Sequence, residues 1–301
     1  MALLEVKGLS KYYDRKPVVN KVSFQFQEGR CIALIGPNGA GKTTVLRTLA
    51  GLLKPTEGIV KFNGRNPNSD IRPYIGYLPQ HPVFYPWMTG SEFLRYSGRL
   101  SNLPKEEAKK RSEELLDVVG ISQAKSKRIG KYSGGMKQRL GIAQAMIHKP
   151  QLLMLDEPVS ALDPIGRREI LTLMEELKEE LTILFSTHIL SDADEVSDEL
   201  LLLHKGEIVE SGLMDTLRRK YQTEKLELTF TENAAHYREK IHKLETVENT
   251  DAVGSTIEVH VSDVVLARKE ILQVALKEDW PLSGFVIKQA SLEDMFMKAV
   301  N

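Results

Sequence analysis

The octapeptide Gly36-Pro37-Asn38-Gly39-Ala40-Gly41-Lys42-Thr43 constrains this chain more than any other stretch. It matches the pattern G-x-x-x-x-G-K-[S/T] without deviation. It follows a continuous apolar run, Cys31 to Ile35, of the kind that suits a strand covered on both faces. An amphipathic stretch follows, in which Val45, Leu46, Leu49, Leu52 and Leu53 mark one helical face and Gly51 stands near the end. Glycines let the main chain wrap closely around a bound group with its N–H donors pointing inward. Lys42 adds a positive charge for β- and γ-phosphates, and Thr43 offers a hydroxyl to Mg²⁺. The helix that begins there, Thr44 included, adds the positive end of its dipole. By average residue usage such a string arises by chance in about 1% of chains of this length. A plain Gly-rich turn is the competing reading, and the strand before and helix after it argue against that.

A phosphate loop needs a carboxylate for its metal. Leu152-Leu153-Met154-Leu155-Asp156-Glu157 has the required form: four apolar residues of a buried strand, then Asp156 at its end, where parallel sheets hold ligands. Glu157 is the candidate to orient or deprotonate an attacking water. Acids at strand ends are common, so this hexapeptide gains its weight from the phosphate loop.

Composition excludes several alternatives. Lys plus Arg and Asp plus Glu number 41 each, so bulk charge argues for neither nucleic acid nor an anionic surface. The single cysteine, Cys31, excludes an intrachain disulfide and reads as a small buried residue. The first residues lack the charged start and apolar stretch of a signal peptide. No apolar run approaches the ~18 residues of a membrane span. The expectation is a cytoplasmic protein whose membrane role, if any, requires a partner. His81, His148, His204, His236, His242 and His260 show no metal-ligand spacing.

The periodicities predict β-structure over residues 1–30 and a strand at Gly58–Phe62 turning at Asn63-Gly64. Residues from about 90 to 148 read as mostly helical, with Lys105–Val119 closed by Gly120 and a second helix from Gln138 to His148. A strand at Thr182–Phe185 and a helix at Arg167–Leu177 restore the α/β alternation. Beyond a basic segment at Leu217–Lys220 the texture changes. Leu226–Phe230 and Thr256–Val261 alternate as half-exposed strands, Phe285–Ile287 reads as another, and Leu292–Val300 as a last helix. A small βαββαβ domain fits this order.

With Tyr132-Ser133-Gly134-Gly135-Met136-Lys137-Gln138-Arg139 the chain resembles the ATP-binding cassette (ABC) ATPases, whose signature motif this octapeptide is similar to. Ser-Gly-Gly at a helix start suits an anion, and ordinary capping by Ser133 is the plainer reading. The resemblance covers roughly residues 3–215. It implies an α/β fold: a phosphate-loop NTPase core of the ABC type with an antiparallel β subdomain and a helical subdomain (about 90–148), plus a small C-terminal α+β domain. The expected bounds are 1–217 for the nucleotide-binding domain and 222–301 for the accessory one. Two cassettes then pair head to tail, so that ATP on the phosphate loop of one is closed over by Ser133, Gly134 and Gly135 of the other. Ser160-Ala161-Leu162-Asp163 resembles the loop that contacts the opposite cassette. Gln80, in Tyr77-Leu78-Pro79-Gln80, matches the glutamine that touches Mg²⁺ and water. His188, in Ser186-Thr187-His188, matches the switch histidine near the γ-phosphate. Tyr13 is placed like the aromatic that stacks on adenine, with Tyr12 as its competitor. Tyr132 and Met136 depart mildly from commoner residues of the motif.

The implied site is thus ATP-binding through Tyr13, Gly36 to Thr44, Gln80, Ser133 to Gly135 and Asp156. Mg²⁺ falls to Thr43, Gln80 and Asp156, and catalysis to Glu157, His188, Lys42 and Gln80. The implied partners are transmembrane permease subunits and a second cassette, on the inner face of the cell membrane, with no nucleic acid. Ser291-Leu292-Glu293-Asp294-Met295-Phe296 resembles the end of ATPase subunits of bacterial ABC-2-type exporters, which favours export. The apolar segment His81–Arg95, with Pro82, Phe84, Tyr85, Trp87 and Met88, suits a partner helix or internal packing. An ABC ATPase acting on a soluble partner is the alternative. Such members carry paired cassettes or long insertions, and neither feature is present here.

Overall fold

A computed structural model describes residues 2–66, 69–221, 225–288 and 292–300. The chain divides into two compact units with the boundary between Asp215 and Thr216. Residue 222, the expected start of the second domain, and Ser291 of the terminal motif lie outside the described residues.

The first unit opens with β1 (Leu4–Tyr13) and β2 (Lys16–Phe26), which pair antiparallel, and β3 (Cys31–Ile35), which enters another sheet. Helix α1 (Lys42–Leu49) and strand β4 (Glu57–Phe62) follow, and β4 joins β1 to complete a three-stranded antiparallel sheet. Next come β5 (Ile75–Leu78), α2 (Gly90–Leu100), α3 (Lys105–Val118) and α4 (Gly134–Ala145). The α/β alternation resumes with β6 (Leu152–Asp156), α5 (Pro164–Leu177), β7 (Thr182–Thr187), α6 (Leu190–Val196), β8 (Glu199–His204) and β9 (Glu207–Leu213).

The central sheet runs β5-β6-β7-β3-β8-β9, parallel throughout except for β9. Strands β3, β6 and β7 are buried at every residue, and their apolar stretches Cys31–Ile35, Leu152–Leu155 and Ile183–Phe185 suit a doubly covered sheet. One core joins the antiparallel sheet to α1 and the central sheet, with Phe26, Phe62, Leu46, Leu49, Ile32 and Met154 among its members. Cys31, at the start of β3, is fully buried, and burial pushes its thiol up, as befits an inert core residue.

Several helix limits differ from expectation, and α5 begins at Pro164 rather than Arg167, after its cap Asp163. Helix α1 stops at Leu49, because Gly51 takes a left-handed φ of 70° and closes the helix. The Gly51 N–H donates to Thr48 O and the Leu52 N–H to Arg47 O, the pair of bonds that ends a helix at such a glycine. Leu52 is therefore ejected and 59% exposed, so it is not part of the buried face. Helix α4 begins at Gly134 because Ser133 caps it, accepting from the Met136 N–H at 3.2 Å as the capping reading of that residue expected, and it ends at Ala145, short of His148. Helix α3 does end at Gly120, whose N–H donates to Asp117 O while Ile121 N–H donates to Leu116 O.

Helix α7 (Met214–Lys220) spans the boundary. The second unit holds β10 (Lys225–Phe230), α8 (Ala235–His242), β11 (Val247–Val253), β12 (Thr256–Val261), α9 (Val264–Lys277), β13 (Leu282–Lys288) and α10 (Leu292–Val300). From β10 to β13 the order is βαββαβ, in an antiparallel sheet β11-β12-β10-β13. Alternate residues of β10 and β12 (Leu226, Leu228, Ile257, Val259) face α8 and α9 in a second core. Phe230 stacks on Tyr237 there at 4.5 Å. Lys225 of β10 pairs with Glu258 of β12 at 2.6 Å, and Glu227 of β10 with Lys288 of β13 at 2.6 Å. No described helix is long and apolar enough to cross a membrane.

Candidate nucleotide site

The loop between β3 and α1 turns through two left-handed glycines, Gly39 (φ 83°) and Gly41 (φ 107°). A Cβ at Gly41 would lie 2.7 Å from Val18 O, and one at Gly36 would lie 2.2 Å from Leu203 O. Both positions therefore require glycine for close packing against main chain. The Lys42 ammonium is buried and donates to Gly36 O at 2.7 Å and to Pro37 O at 3.3 Å. Residues 38–44 line a cavity of 370 Å³ together with Val18, Gln80 and Glu157. Its floor is a helix N-terminus, and its charged lining is one lysine and one glutamate.

Two adjacent carboxylates reach the start of α1. Asp156 is fully buried at the end of β6, where its Oδ1 accepts from Thr43 Oγ1 at 3.2 Å and from Ser186 Oγ at 2.7 Å. Tyr77 Oη donates to its other oxygen at 3.4 Å. Burial, with the Asp156 charge beside it, pushes the Tyr77 hydroxyl up to about 12, so it stays a donor. Glu157 adopts a left-handed φ of 51°. One of its oxygens lies 3.3 Å from Lys42 Nζ and the other 2.8 Å from His188 Nδ1. Lysine, glutamate and histidine thus form a chain running from the loop to a partly exposed imidazole.

The Thr43 hydroxyl meets the Asp156 carboxylate, and Gln80 lines the same cavity as Thr43, so the donors on offer here are oxygens. That set fits a hard divalent cation such as Mg²⁺, which keeps few protein ligands and completes its shell from water and phosphate.

Not every expected residue meets here. Tyr13, at the end of β1, is 46% exposed, with the Lys11 ammonium 5.4 Å from its ring centre. It does not line the 370 Å³ cavity, and neither does the Ser133–Gly135 turn. That turn lines a separate cavity of 490 Å³, whose other wall is Ala161, Leu162 and Asp163. Asp163 caps α5 by accepting from the Gly166 N–H at 2.9 Å. Tyr132 is buried and donates to Ala124 O at 2.8 Å, and Gly90 leaves room for its hydroxyl. In the apolar segment, Phe84 packs edge-on against Phe93 at 5.2 Å, whereas Trp87 remains 66% exposed.

Residue-type patterns alone did not single out Ser186, Thr187, Arg167, Asp192 or the hydroxyl of Tyr77 for a role. Asp192 is fully buried on α6, bonded to Arg167 Nε of α5 and, at 3.3 Å, to Thr187 Oγ1 beside His188. Burial pushes its carboxyl up while Arg167 pulls it back. No local spacing signals these contacts, since each joins residues of different elements.

Residues 19–160 match the family described as ABC transporter, and residues 212–300 match the C-terminal domain of DrrA1-3-like ATP-binding proteins. An uncharacterised ABC transporter ATP-binding protein of Bacillus subtilis (strain 168), YxlF, is 43% identical over 302 residues, covering 99% of this chain and 100% of its own. The bacitracin transport ATP-binding protein BcrA of Bacillus licheniformis is 37% identical over 223 residues, 72% of either chain. Among solved structures, a dimeric ATP-binding cassette in a post-hydrolysis state, bound to ADP and Pi, matches with a TM-score of 0.63 and 27% identity. That match covers 70% of this chain and 98% of the other.

Proposed function

The chain belongs to the ATP-binding proteins of ABC transporters, and from that premise we propose that it hydrolyses Mg-ATP as one of two paired cassettes driving a membrane exporter. The observation that carries the proposal is Glu157, held between Lys42 and His188 at the wall of the phosphate-loop cavity. A carboxylate with both oxygens engaged, beside a loop built for phosphate, is placed to take a proton from water.

In this reading the N–H groups of Gly36 to Thr44 and the Lys42 ammonium hold the β- and γ-phosphates. Thr43, Gln80 and Asp156 would hold Mg²⁺, which when bound neutralises charge on the phosphate oxygens. Glu157 aligns a water and accepts its proton as the oxygen attacks the γ-phosphorus. His188 Nδ1 fixes the Glu157 carboxylate and presents the rest of its ring to the γ-phosphate. Tyr13 stacks on the adenine. Ser133 to Gly135, or their counterparts in a paralogous second cassette, close over the nucleotide, and loss of the γ-phosphate loosens the pair. A turn and an opposing loop that share a cavity away from the chain's own phosphate loop support such a composite site. So does the dimeric form of the solved cassette bound to ADP and Pi.

The cassette would occupy residues 1–217, and residues 222–301 would form an accessory domain. Val83, Tyr85 and Trp87 are 88%, 41% and 66% exposed, which supports the segment His81–Arg95 as the seat of a permease. That partner would hold the protein on the inner face of the cell membrane. Export rests on the likeness of the chain's end to ABC-2-type exporters.

The test is photocrosslinking from native membranes with the crosslinker at position 83. A multi-spanning membrane protein in the crosslink supports the transport reading. A soluble partner alone replaces it with the soluble-acting alternative.

A further inference from the structure

Asp156 and Glu157 are neighbours in sequence, so in a continuing strand their side chains would face opposite sides of the sheet. Instead both reach the start of α1: Asp156 meets Thr43 and Glu157 meets Lys42. The left-handed backbone at Glu157 makes this possible. It is a conformation that non-glycine residues adopt only when their surroundings enforce it. Strand β6 and its ladder with β7 end at Asp156, so the Glu157 N–H needs a partner outside that ladder, and a buried donor cannot be left unpaired.

One hydroxyl meets both requirements. Ser186 of β7 is the register partner of Asp156 of β6, and partners in a parallel pair present their side chains on one face. Both residues are fully buried. Ser186 Oγ accepts from the Glu157 N–H at 2.9 Å and donates to Asp156 Oδ1 at 2.7 Å. The proton and a lone pair of the hydroxyl are thereby both committed, one to each acid residue.

We propose that Ser186 is a positioning residue of the hydrolytic centre. Its hydroxyl fixes the carboxylate assigned to Mg²⁺ and the peptide of the assigned general base with one atom. The proposal rests on the roles given above to Asp156 and Glu157. It also explains why the position calls for a small hydroxyl: alanine would strand a buried N–H and leave Asp156 Oδ1 with Thr43 alone.

The test compares full-length wild type, Ser186→Ala, Ser186→Thr and Ser186→Cys. Amide hydrogen exchange at Glu157, without nucleotide or metal, reads the first bond. The amide is expected to lose protection in Ser186→Ala and keep it in Ser186→Thr. Calorimetry of ATP binding in EDTA and across a Mg²⁺ series reads the second. Ser186→Ala is expected to need severalfold more Mg²⁺ while its affinity for metal-free ATP stays within about twofold, and its kcat is expected to fall roughly 10- to 100-fold. Ser186→Thr is expected to restore most of both. If Ser186→Ala does not fold, Ser186→Cys, of similar volume and weaker bonding, is expected to show a smaller loss in the same three readouts. Wild-type exchange, Mg²⁺ requirement and kcat in the Ala or Cys variant would overturn the proposal. So would a Thr variant no better than Ala. Failure of the underlying reading is seen separately, as undiminished turnover in Glu157→Gln; the exchange and Mg²⁺ readouts judge Ser186 whatever that variant does.

Discussion

His188 Nδ1 lies 2.8 Å from one oxygen of Glu157, and the other oxygen lies 3.3 Å from Lys42 Nζ. The Glu157 and Lys42 side chains are 6% and 7% exposed, so this is a nearly dry arrangement in which each charge depends on the next. Strand β6 delivers the glutamate, β7 runs into the histidine, and α1 starts at the lysine. The three meet only because β6 and β7 are adjacent and α1 follows β3 in the same sheet.

Lys42→Ala removes the loop's positive charge and one neighbour of Glu157. ATP affinity measured by calorimetry is expected to fall at least about tenfold, the scale of a lost charge-assisted contact to phosphate. Unchanged affinity would remove Lys42 from the phosphate site.

Gly76→Ala probes how closely β5 packs on α4. An added Cβ would lie 2.2 Å from Ala145 O, a main-chain atom with no rotamer to yield. Chemical denaturation is expected to show a loss of about 1–3 kcal/mol. Gly135→Ala, where nothing lies within 4 Å, is expected to stay within about 0.5 kcal/mol of wild type.

His148 gives stability a defined pH dependence. Its Nε2 lies 3.1 Å from Ile75 O, and burial lowers its pKa from the ordinary 6.5 while that carbonyl partly opposes the shift. The folded state therefore takes up this proton later than the unfolded chain does. The contribution is full above 6.5 and is lost as pH falls from there through the lowered folded value. His148→Gln is expected to flatten that acid arm, measured as the change in denaturation midpoint between about pH 7.5 and 5.5. An arm as steep as wild type would mean that other groups carry it.

Much of this architecture was legible because its signals are local. The phosphate loop, the apolar strand ending in Asp156-Glu157 and the βαββαβ order all follow from spacing and alternation within short windows. Local signals misled at Leu52, whose apolar side chain continues the helical stripe although Gly51 has already ended the helix. Periodicity alone put the start of α4 too late, at Gln138, because two glycines of low helix propensity follow the cap, whereas the capping reading of Ser133 placed it at Gly134. What spacing could not supply was register. Nothing between positions 156 and 186 announces that Asp156 and Ser186 are partners, since that depends on β6 and β7 lying side by side in the order β5-β6-β7-β3-β8-β9. The ion pair of Arg167 on α5 with Asp192 on α6 depends likewise on how two separate elements come together. Tyr13 and Ser133 do not line the chain's own phosphate-loop cavity, and for Ser133 a second cassette would have to supply the missing half.

The central claim is that Glu157 takes the proton from the attacking water. The most direct test measures ATP turnover and ATP affinity of Glu157→Gln beside wild type. The amide keeps the shape and one acceptor oxygen but cannot take a proton at neutral pH. Turnover is expected to fall at least about 100-fold with ATP affinity within severalfold of wild type, and an ATP-bound dimer is expected to accumulate in size-exclusion chromatography. Wild-type turnover in Glu157→Gln would contradict the account.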